Sequence, residues 1–385
     1  MFKIASLNKI SHKGLDKFDQ KYLMTDLVDE AHAILVRSQE MQQMELSSNL
    51  LAIARAGAGY NNIPVENCSK KGIVVFNTPG ANANAVKELV LTGLLLSARN
   101  ISEAISWTKT LNQDVEKSVE KHKSQFAGHE IKGKTLGVFG LGAIGVMVAN
   151  AAADLGMHVY GYDPYLSIKS AHELDSRVKF MDDLSAILPK CDYISLHIPY
   201  SDATKGMIGK SQIELMKSGV CILNFSRDKI VDEAYLLSSL ESSQIRQYVT
   251  DFPNEAVVNH EKVICIPHLG ASTKESEDNC AIMAVEQLMD YLENGNITNS
   301  VNFPDCRMGI CNTLGRIGVL NKNVPAMLGK ITNALAELDI NISDLNNRSK
   351  GEYAYTLIDI DSSIDETALK KLHEVDGIIA VRIIK

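Results

Sequence analysis

The chain has 385 residues, too many for one ordinary hydrophobic core, so two or three domains are expected. Its 45% hydrophobic and 22% charged residues are those of a globular protein, neither disordered nor membrane-embedded. A formal charge of −8 disfavours nucleic acid as a partner, because phosphate binding calls for a basic surface.

The opening Met1–Leu7 reads as a strand and not as an export signal, since polar residues follow at once. Apolar runs such as Leu89 to Leu96 are broken by Thr92 and Gly93, well short of the roughly 20 residues that span a bilayer, so no membrane partner is expected. Seven scattered cysteines (Cys68, Cys191, Cys221, Cys265, Cys280, Cys306 and Cys311), without C-x-x-C spacing, argue against a disulfide framework or a zinc site. Buried, unreactive thiols, no metal and a reducing cytoplasm are the expectation.

In chain order, short apolar runs predict strands at Phe2–Leu7, Ala33–Val36, Leu51–Arg55 and Ile73–Phe76. The turn cluster Asn77–Gly80 then leads into one long helix, 83–100. A second series begins at Gly133, with strands at Thr135–Phe139, His158–Tyr162, Tyr193–Leu196, Cys221–Asn224, Tyr248–Asp251 and Val263–Cys265. A long helical pattern, Lys274–Asn294, returns the chain to the first domain. Such alternation is that of doubly wound parallel sheets, with substrate expected in the cleft between the two domains.

Asn302-Phe303-Pro304-Asp305 reads as a linker. Beyond it lies a βαββαβ pattern: a strand Gly315–Asn321; a helix with Pro325 in its first turn and Leu328, Ile331, Leu335 and Leu338 on one face; strands Ile340–Leu345 and Tyr353–Ile360; a helix 365–375; and a strand Ile378–Ile384. The expected domains are therefore 1–90 with 275–303, 91–274, and 312–385.

The strand Thr135–Phe139 runs into Gly140-Leu141-Gly142-Ala143-Ile144-Gly145 and a helical stretch, the strand–turn–helix setting in which G-x-G-x-x-G binds a dinucleotide. The glycines allow the tight turn, close approach of backbone to a pyrophosphate, and helix–strand packing, while the helix N-terminus presents N–H groups to the anion. The next strand ends at Asp163, placed to accept hydrogen bonds from the adenosine ribose. A carboxylate there would repel a 2′-phosphate and no arginine follows closely, so NAD is favoured over NADP.

Three further segments close predicted strands: Asn224-Phe225-Ser226-Arg227, Asp251-Phe252-Pro253-Asn254-Glu255, and Pro267-His268-Leu269-Gly270. Taken singly, such an arginine is more often a solvated surface charge and such a histidine a structural one. Together, at the carboxyl ends of parallel strands, they sit where ligands bind.

From Ala33 to Thr273 the chain resembles the D-isomer-specific 2-hydroxyacid dehydrogenases. The matching segments are Arg55-Ala56-Gly57-Ala58-Gly59, Asn77–Gly80, the glycine motif, Leu196-His197-Ile198-Pro199, Asn224 to Asp232, and Pro267 to Thr273. The resemblance implies a flavodoxin-like substrate domain and a Rossmann NAD domain. It also implies a catalytic set of His268, Glu255 and Arg227. NAD contacts would come from Gly140, Gly142, Ala143, Ile144, Gly145, Asp163, His197, Pro199, Phe225, Ser226, Arg227, Asp251, His268, Gly270 and Ala271. In these roles histidine exchanges the hydroxyl proton, a carboxylate fixes its tautomer, and the arginine fork matches the substrate carboxylate. One departure stands out: the aspartate usual five residues before the glutamate is Thr250 here, with Asp251 one place later. Either the loop is shifted by one residue or the two share the nicotinamide contact.

Leu35-Val36-Arg37-Ser38 and Arg55 resemble the segments that hold the phosphate in family members acting on phosphoglycerate, and backbone N–H groups near Ala58 and Gly59 would hold the carboxylate. A structural salt bridge is the rival reading for either arginine. The C-terminal unit resembles an ACT domain (a ferredoxin-like small-ligand sensor) through Asn323–Leu328 and Asp339–Ile342. This implies an L-serine effector, held by Asn323 and Asn341 with Asn321 nearby. Two residues depart from the pattern: Asn321 where some serine-sensitive relatives have histidine, and Ala326 where glycine usually follows Pro325. Alternatively Asn323 caps the next helix, Asn341 closes a turn, and the unit only pairs subunits.

The expected activity is oxidation of 3-phospho-D-glycerate by NAD to 3-phosphohydroxypyruvate, the first step of L-serine synthesis, in a cytoplasmic homo-dimer or homo-tetramer. The alternatives are a glyoxylate or hydroxypyruvate reductase of the same family, or an NAD-sensing binding protein without activity.

Overall fold

The computed structural model describes residues 1–364 and 366–385. The chain divides into two compact units, Met1–Asn82 with Lys274–Lys385, and Ala83–Thr273. Helix Ala83–Arg99 belongs whole to the second unit, with Val86, Val90, Leu94 and Ala98 buried in that unit's core. A boundary at 82/83 keeps it intact, where one at 90/91 would cut it.

The first unit opens with a parallel sheet of β1 (Phe2–Ser6), β2 (Tyr22–Thr25), β3 (Ala33–Val36), β4 (Ala52–Arg55) and β5 (Val74–Phe76), in the order β2-β1-β3-β4-β5. This is the flavodoxin-type winding. Central β3 is Ala-Ile-Leu-Val, buried at every position, as a strand covered on both faces must be. The unpredicted β2 is an edge strand whose Leu23 and Met24 are exposed, so its sequence carries no burial pattern to read. Helix Lys274–Asn294 covers one face, burying Cys280, Ala281, Ala284, Val285, Leu288, Tyr291 and Leu292 at three- and four-residue spacing.

The second unit is a seven-stranded parallel sheet: β6 (Thr135–Phe139), β7 (His158–Tyr162), β8 (Lys179–Phe180), β9 (Tyr193–Leu196), β10 (Val220–Asn224), β11 (Ile245–Thr250) and β12 (Val263–Cys265). Its order, β12-β11-β10-β9-β6-β7-β8, reverses between β6 and β9. That reversal is the topological switch at which doubly wound sheets bind ligands. Strand β11 ends at Thr250, so Asp251 lies just beyond it and not within it as predicted. The two-residue β8 was too short to carry a sequence signal.

The C-terminal sheet consists of β13 (Gly315–Lys322), β14 (Ile342–Lys350), β15 (Tyr353–Ile360) and β16 (Ile378–Ile383), in antiparallel order β14-β15-β13-β16, with helices Met327–Ala336 and Glu366–His373. The βαββαβ order is as predicted, with three local corrections. Pro325 precedes the helix, because Ala326 adopts a left-handed conformation (φ 66°) and helical geometry begins only at Met327. The buried face runs through Met327, Ile331, Ala334 and Leu335, which leaves Leu328 exposed. Strand β14 starts two residues later than predicted, after a left-handed Asp339, and continues through polar Asn346–Lys350 because pairing with β15 extends to the turn at Gly351. Of the second predicted helix, Asp365 lies outside the described residues.

One buried ion pair fixes this sheet to the end of the long helix. Arg316 on β13 is fully buried; its Nε and Nη2 donate to Asp359 Oδ1 and Oδ2 at 2.5 and 2.8 Å. Its Nη1 donates to the carbonyls of Asn294 and Gly309 at 3.0 and 2.5 Å. From β16, Arg382 Nη2 donates to the Tyr291 and Leu292 carbonyls at 2.7 and 2.6 Å, with its guanidinium over the Tyr291 ring. Together the two arginines donate to carbonyls of the last helical turn, among them Tyr291, which also accepts from the Gly295 N–H. Gly295 ends the helix in a left-handed conformation, and a Cβ there would lie 2.2 Å from Ile384 Cδ1. Replacing Asp359 by Asn strands a buried guanidinium, at an expected cost of about 3–5 kcal/mol. Hydrogen exchange of the β13–β16 amides should speed up accordingly; unchanged protection would contradict this role for the pair.

Candidate active site

In the second unit the glycine turn follows β6. Gly140 has φ 91°, and a Cβ there would approach the His197 carbonyl to 2.4 Å, so both conformation and space require glycine. A Cβ on Gly145 would lie 1.8 Å from the Gly140 carbonyl oxygen. Gly142 is different: its φ of −75° suits any residue, and a Cβ would meet nothing within 4 Å. Packing therefore does not explain this glycine. No side chain caps helix Ala143–Asp154, so its leading N–H groups are left to a ligand. These residues fit a dinucleotide pyrophosphate.

Asp163 fixes the turn from the next strand. Its Oδ2 accepts from the Leu141 N–H and its Oδ1 from the Tyr165 N–H, both at 2.8 Å. His197 is half-buried, its Nε2 lies 2.8 Å from Ser195 Oγ, and desolvation of the ring pushes its pKa down to about 4, so the imidazole is neutral at physiological pH. Pro199 is exposed, with its carbonyl accepting from Thr204 Oγ1 at 2.7 Å.

Arg227 is exposed at the end of the β10 loop, and that loop is built by a residue the sequence reading assigned no role. Asn224, fully buried, donates to the Arg227 carbonyl at 2.9 Å and to Tyr248 Oη at 3.0 Å. Its Oδ1 accepts from the N–H and hydroxyl of Ser226 at 3.2 and 3.1 Å. A buried asparagine must find partners for its amide, and here they are the loop's own backbone and Tyr248. Phe225 is buried against Gly93, where a Cβ would meet its ring at 2.9 Å.

The loop after β12 lies along the end of β11. Ile266 N–H donates to the Thr250 carbonyl at 2.9 Å, the His268 and Phe252 ring centroids are 4.7 Å apart, and Gly270 N–H donates to Asp251 Oδ2 at 3.2 Å. Thr250 is buried, with Oγ1 accepting from the Phe252 N–H. Asp251 is 1% exposed and its Oδ1 has no partner. Burial pushes its carboxyl pKa up, opposed by the charges of His268 and Arg227 and by the Gly270 N–H. Ionised Asp251 thus costs stability at neutral pH, a cost relieved as pH falls through its folded-state pKa. His268 and Glu255 are both exposed, and no bond joins them. Ala271 is half-buried beside Gly270.

In the first unit, Asn8 Oδ1 gathers the N–H groups of Arg37, Ser38 and Gln39 at 2.8, 3.1 and 3.1 Å, shaping the loop after β3. Arg37 Nη2 pairs with Glu277 Oε1 at 2.8 Å, both side chains being substantially exposed. Arg55 folds back over Gly57, where a Cβ would lie 2.1 Å from its Nη1. The Ala58–Gly59 loop is held by Asn77 Nδ2 on the Ala58 carbonyl at 2.6 Å. In the C-terminal sheet Asn321 is buried, its amide donating to the Lys322 carbonyl; Asn323 and Asn341 are exposed and donate to the Gly351 carbonyl and Asp361. Asn323 does not cap the following helix, whose N-cap is Ala326.

All seven cysteines are free. Among the described residues no group of three His, Cys, Asp or Glu could hold a metal, and no helix is long and apolar enough to cross a membrane.

Residues 91–270 match the family described as D-isomer specific 2-hydroxyacid dehydrogenase, NAD binding domain. D-3-phosphoglycerate dehydrogenase of Haemophilus influenzae is 30% identical over 97% of this chain and 90% of its own length. The enzyme of that name from Escherichia coli K12 is 31% identical over 97% and 91%. Among solved structures, NAD+-bound 3-phosphoglycerate dehydrogenase of Entamoeba histolytica superposes with a TM-score of 0.61 at 28% identity, covering 78% of this chain and 98% of that one.

The contrast between the glycines can be tested. Gly142→Ala should keep the parent melting temperature and weaken NAD binding tenfold or more (about 1.4 kcal/mol), whereas Gly145→Ala should lower the melting temperature itself. Calorimetric titration beside thermal unfolding would check both, and undiminished NAD binding by Gly142→Ala would exclude the assigned role.

Proposed function

The chain belongs to the D-isomer-specific 2-hydroxyacid dehydrogenase family, and we propose that within it the protein oxidises 3-phospho-D-glycerate to 3-phosphohydroxypyruvate, the step that opens L-serine synthesis. The observation carrying this reading is similarity to D-3-phosphoglycerate dehydrogenases along nearly the whole chain, combined with a glycine turn that leaves room for NAD.

NAD, when bound, accepts the hydride leaving C2 of the substrate. The chain's own groups handle charge and proton. Exposed His268 takes the C2 hydroxyl proton as hydride departs, and returns it when the 2-oxo acid is reduced. Arg227, on a loop fixed by Asn224, offers two parallel N–H donors to the substrate carboxylate or the oxo oxygen. The loops carrying Arg37, Ser38 and Arg55 supply positive charge and N–H donors for the phosphate, and the Ala58–Gly59 backbone holds the carboxylate. Glu277 beside Arg37 is then a partner that phosphate displaces or shares.

Residues 312–385 act as the regulatory domain, with L-serine as its effector. Exposed Asn323 and Asn341 are available to it, while buried Asn321 acts only by shaping the strand end. The protein works as a homo-oligomer in the cytoplasm.

NADH consumption with 3-phosphohydroxypyruvate tests the reading. The parent should turn over, His268→Ala should lose about 10²-fold or more, and L-serine should lower the parent rate. Reduction of glyoxylate or unphosphorylated hydroxypyruvate in preference would overturn the substrate assignment, and absence of any turnover would favour an NAD-sensing role.

A further inference from the structure

Strand β14 turns one polar face toward the 299–307 segment, and one cation on that face is left over. Side chains alternate along a strand, so Asn346, Arg348 and Lys350 share the face. Asn346 Nδ2 donates to the Arg307 carbonyl at 3.0 Å, and Lys350 Nζ to the Ser300 carbonyl at 2.8 Å. Arg348, between them, has no hydrogen bond or ion pair among the described residues. It lines a cavity of about 670 Å³ inside the first unit, together with Tyr60, Asn77 and Asn299. The opposite wall is fixed. Ser300 pairs with Phe76 at the end of β5, and Asn77 Nδ2 holds the Ala58 carbonyl at 2.6 Å. The lining carboxylate, Asp305, already accepts the Asn299 N–H at 2.9 Å.

We propose that this cavity is a further small-molecule site, taking a ligand with two acid groups: a dicarboxylate or a phosphorylated carboxylic acid. The guanidinium of Arg348 offers a planar fork of donors that matches a carboxylate or a phosphate. Lys350 spends one of its three ammonium donors on Ser300, which leaves two for a ligand. Two residues along a strand place these cations about 6.6 Å apart at the backbone, a spacing that two acid groups on a short carbon chain match. The amides of Asn77 and Asn299 and the hydroxyl of Tyr60 add neutral partners, and the volume is that of a small-molecule pocket. Two cations against one committed carboxylate leave the lining positive, so an anion is favoured over a neutral ligand. Because Asn77 is both cavity wall and support of the Ala58–Gly59 loop, an occupant sits one side chain away from that loop.

The test is NMR of full-length protein carrying 15N-labelled arginine, with the Arg348 Nε–H signal assigned by its loss in Arg348→Gln. Succinate serves as the dicarboxylate probe, 3-phospho-D-glycerate as the phosphorylated acid, and acetate as the single-acid control, all at constant ionic strength. The Arg348 signal should move to saturation with succinate or 3-phospho-D-glycerate, at a concentration about tenfold or more below that needed with acetate. Whichever of the two saturates lower identifies the second acid as carboxylate or phosphate. Lys350→Gln should weaken that response about threefold, the modest loss an exposed charge gives. Equal responses to all three probes, a shift that follows ionic strength alone, or no shift overturns the site. An undiminished response in Lys350→Gln overturns the two-acid ligand. The titration involves no turnover, so its outcome is independent of the reaction proposed above.

Discussion

A parallel sheet ends all its strands on one edge, and the chemistry of the second unit depends on that constraint. Strands β6, β9, β10, β11 and β12 are neighbours in a single sheet and run the same way. The glycine turn, His197, Arg227, Asp251 and His268 follow their carboxyl ends in turn, although they are spread over some 130 residues of sequence. Each loop is then fixed by a polar group at or near a strand end: half-buried Asp163 for the glycine turn, and buried Ser195 for His197, Asn224 for Arg227 and Asp251 for the His268 loop. The loops that carry the candidate ligand-binding groups are thus held by polar side chains near the strand ends, which is how a loop-borne site gains rigidity.

The first unit applies the same economy to one helix. Helix Lys274–Asn294 covers the face of the flavodoxin-type sheet, carries Glu277 opposite Arg37, and has its C-terminal carbonyls held by Arg316 and Arg382 of the C-terminal sheet. A displacement of that sheet would act on the helix end that its two arginines grip, and the helix links this end to the partner of Arg37. Ala326 shows a local strain at the sheet's first helix. A left-handed non-glycine residue costs about 1–2 kcal/mol, which accounts for the glycine usual there and for the helix starting only at Met327.

Buried elements were the legible ones. Residues 33–36 and the sheet of the second unit stand in the sequence as apolar runs between turn residues, and helix Lys274–Asn294 as a three-and-four periodicity, so their bounds agree with expectation to within about three residues. Edge strands were not legible: Tyr22–Thr25 and Lys179–Phe180 have exposed positions, and β14 owes its polar half to pairing with β15. Of the candidate site, Arg227, His268 and the glycine turn stand out in the sequence through residue type and placement at strand ends. Asn224 was not, because the sequence does not say where a side-chain amide points. Which of Thr250 and Asp251 makes the nicotinamide contact was likewise open in the sequence, since their directions depend on where β11 stops; Thr250 turns to the Phe252 N–H and Asp251 to Gly270.

In the proposed reaction hydride leaves C2 of 3-phospho-D-glycerate for the nicotinamide while His268 takes the hydroxyl proton. The most direct measurement uses 3-phospho-D-glycerate deuterated at C2, with NAD and the full-length protein, and locates the label by NMR of the recovered nucleotide. Deuterium is expected on C4 of the reduced nicotinamide, with none lost to water. Unlabelled NADH, or no NADH at all from this substrate, would contradict it.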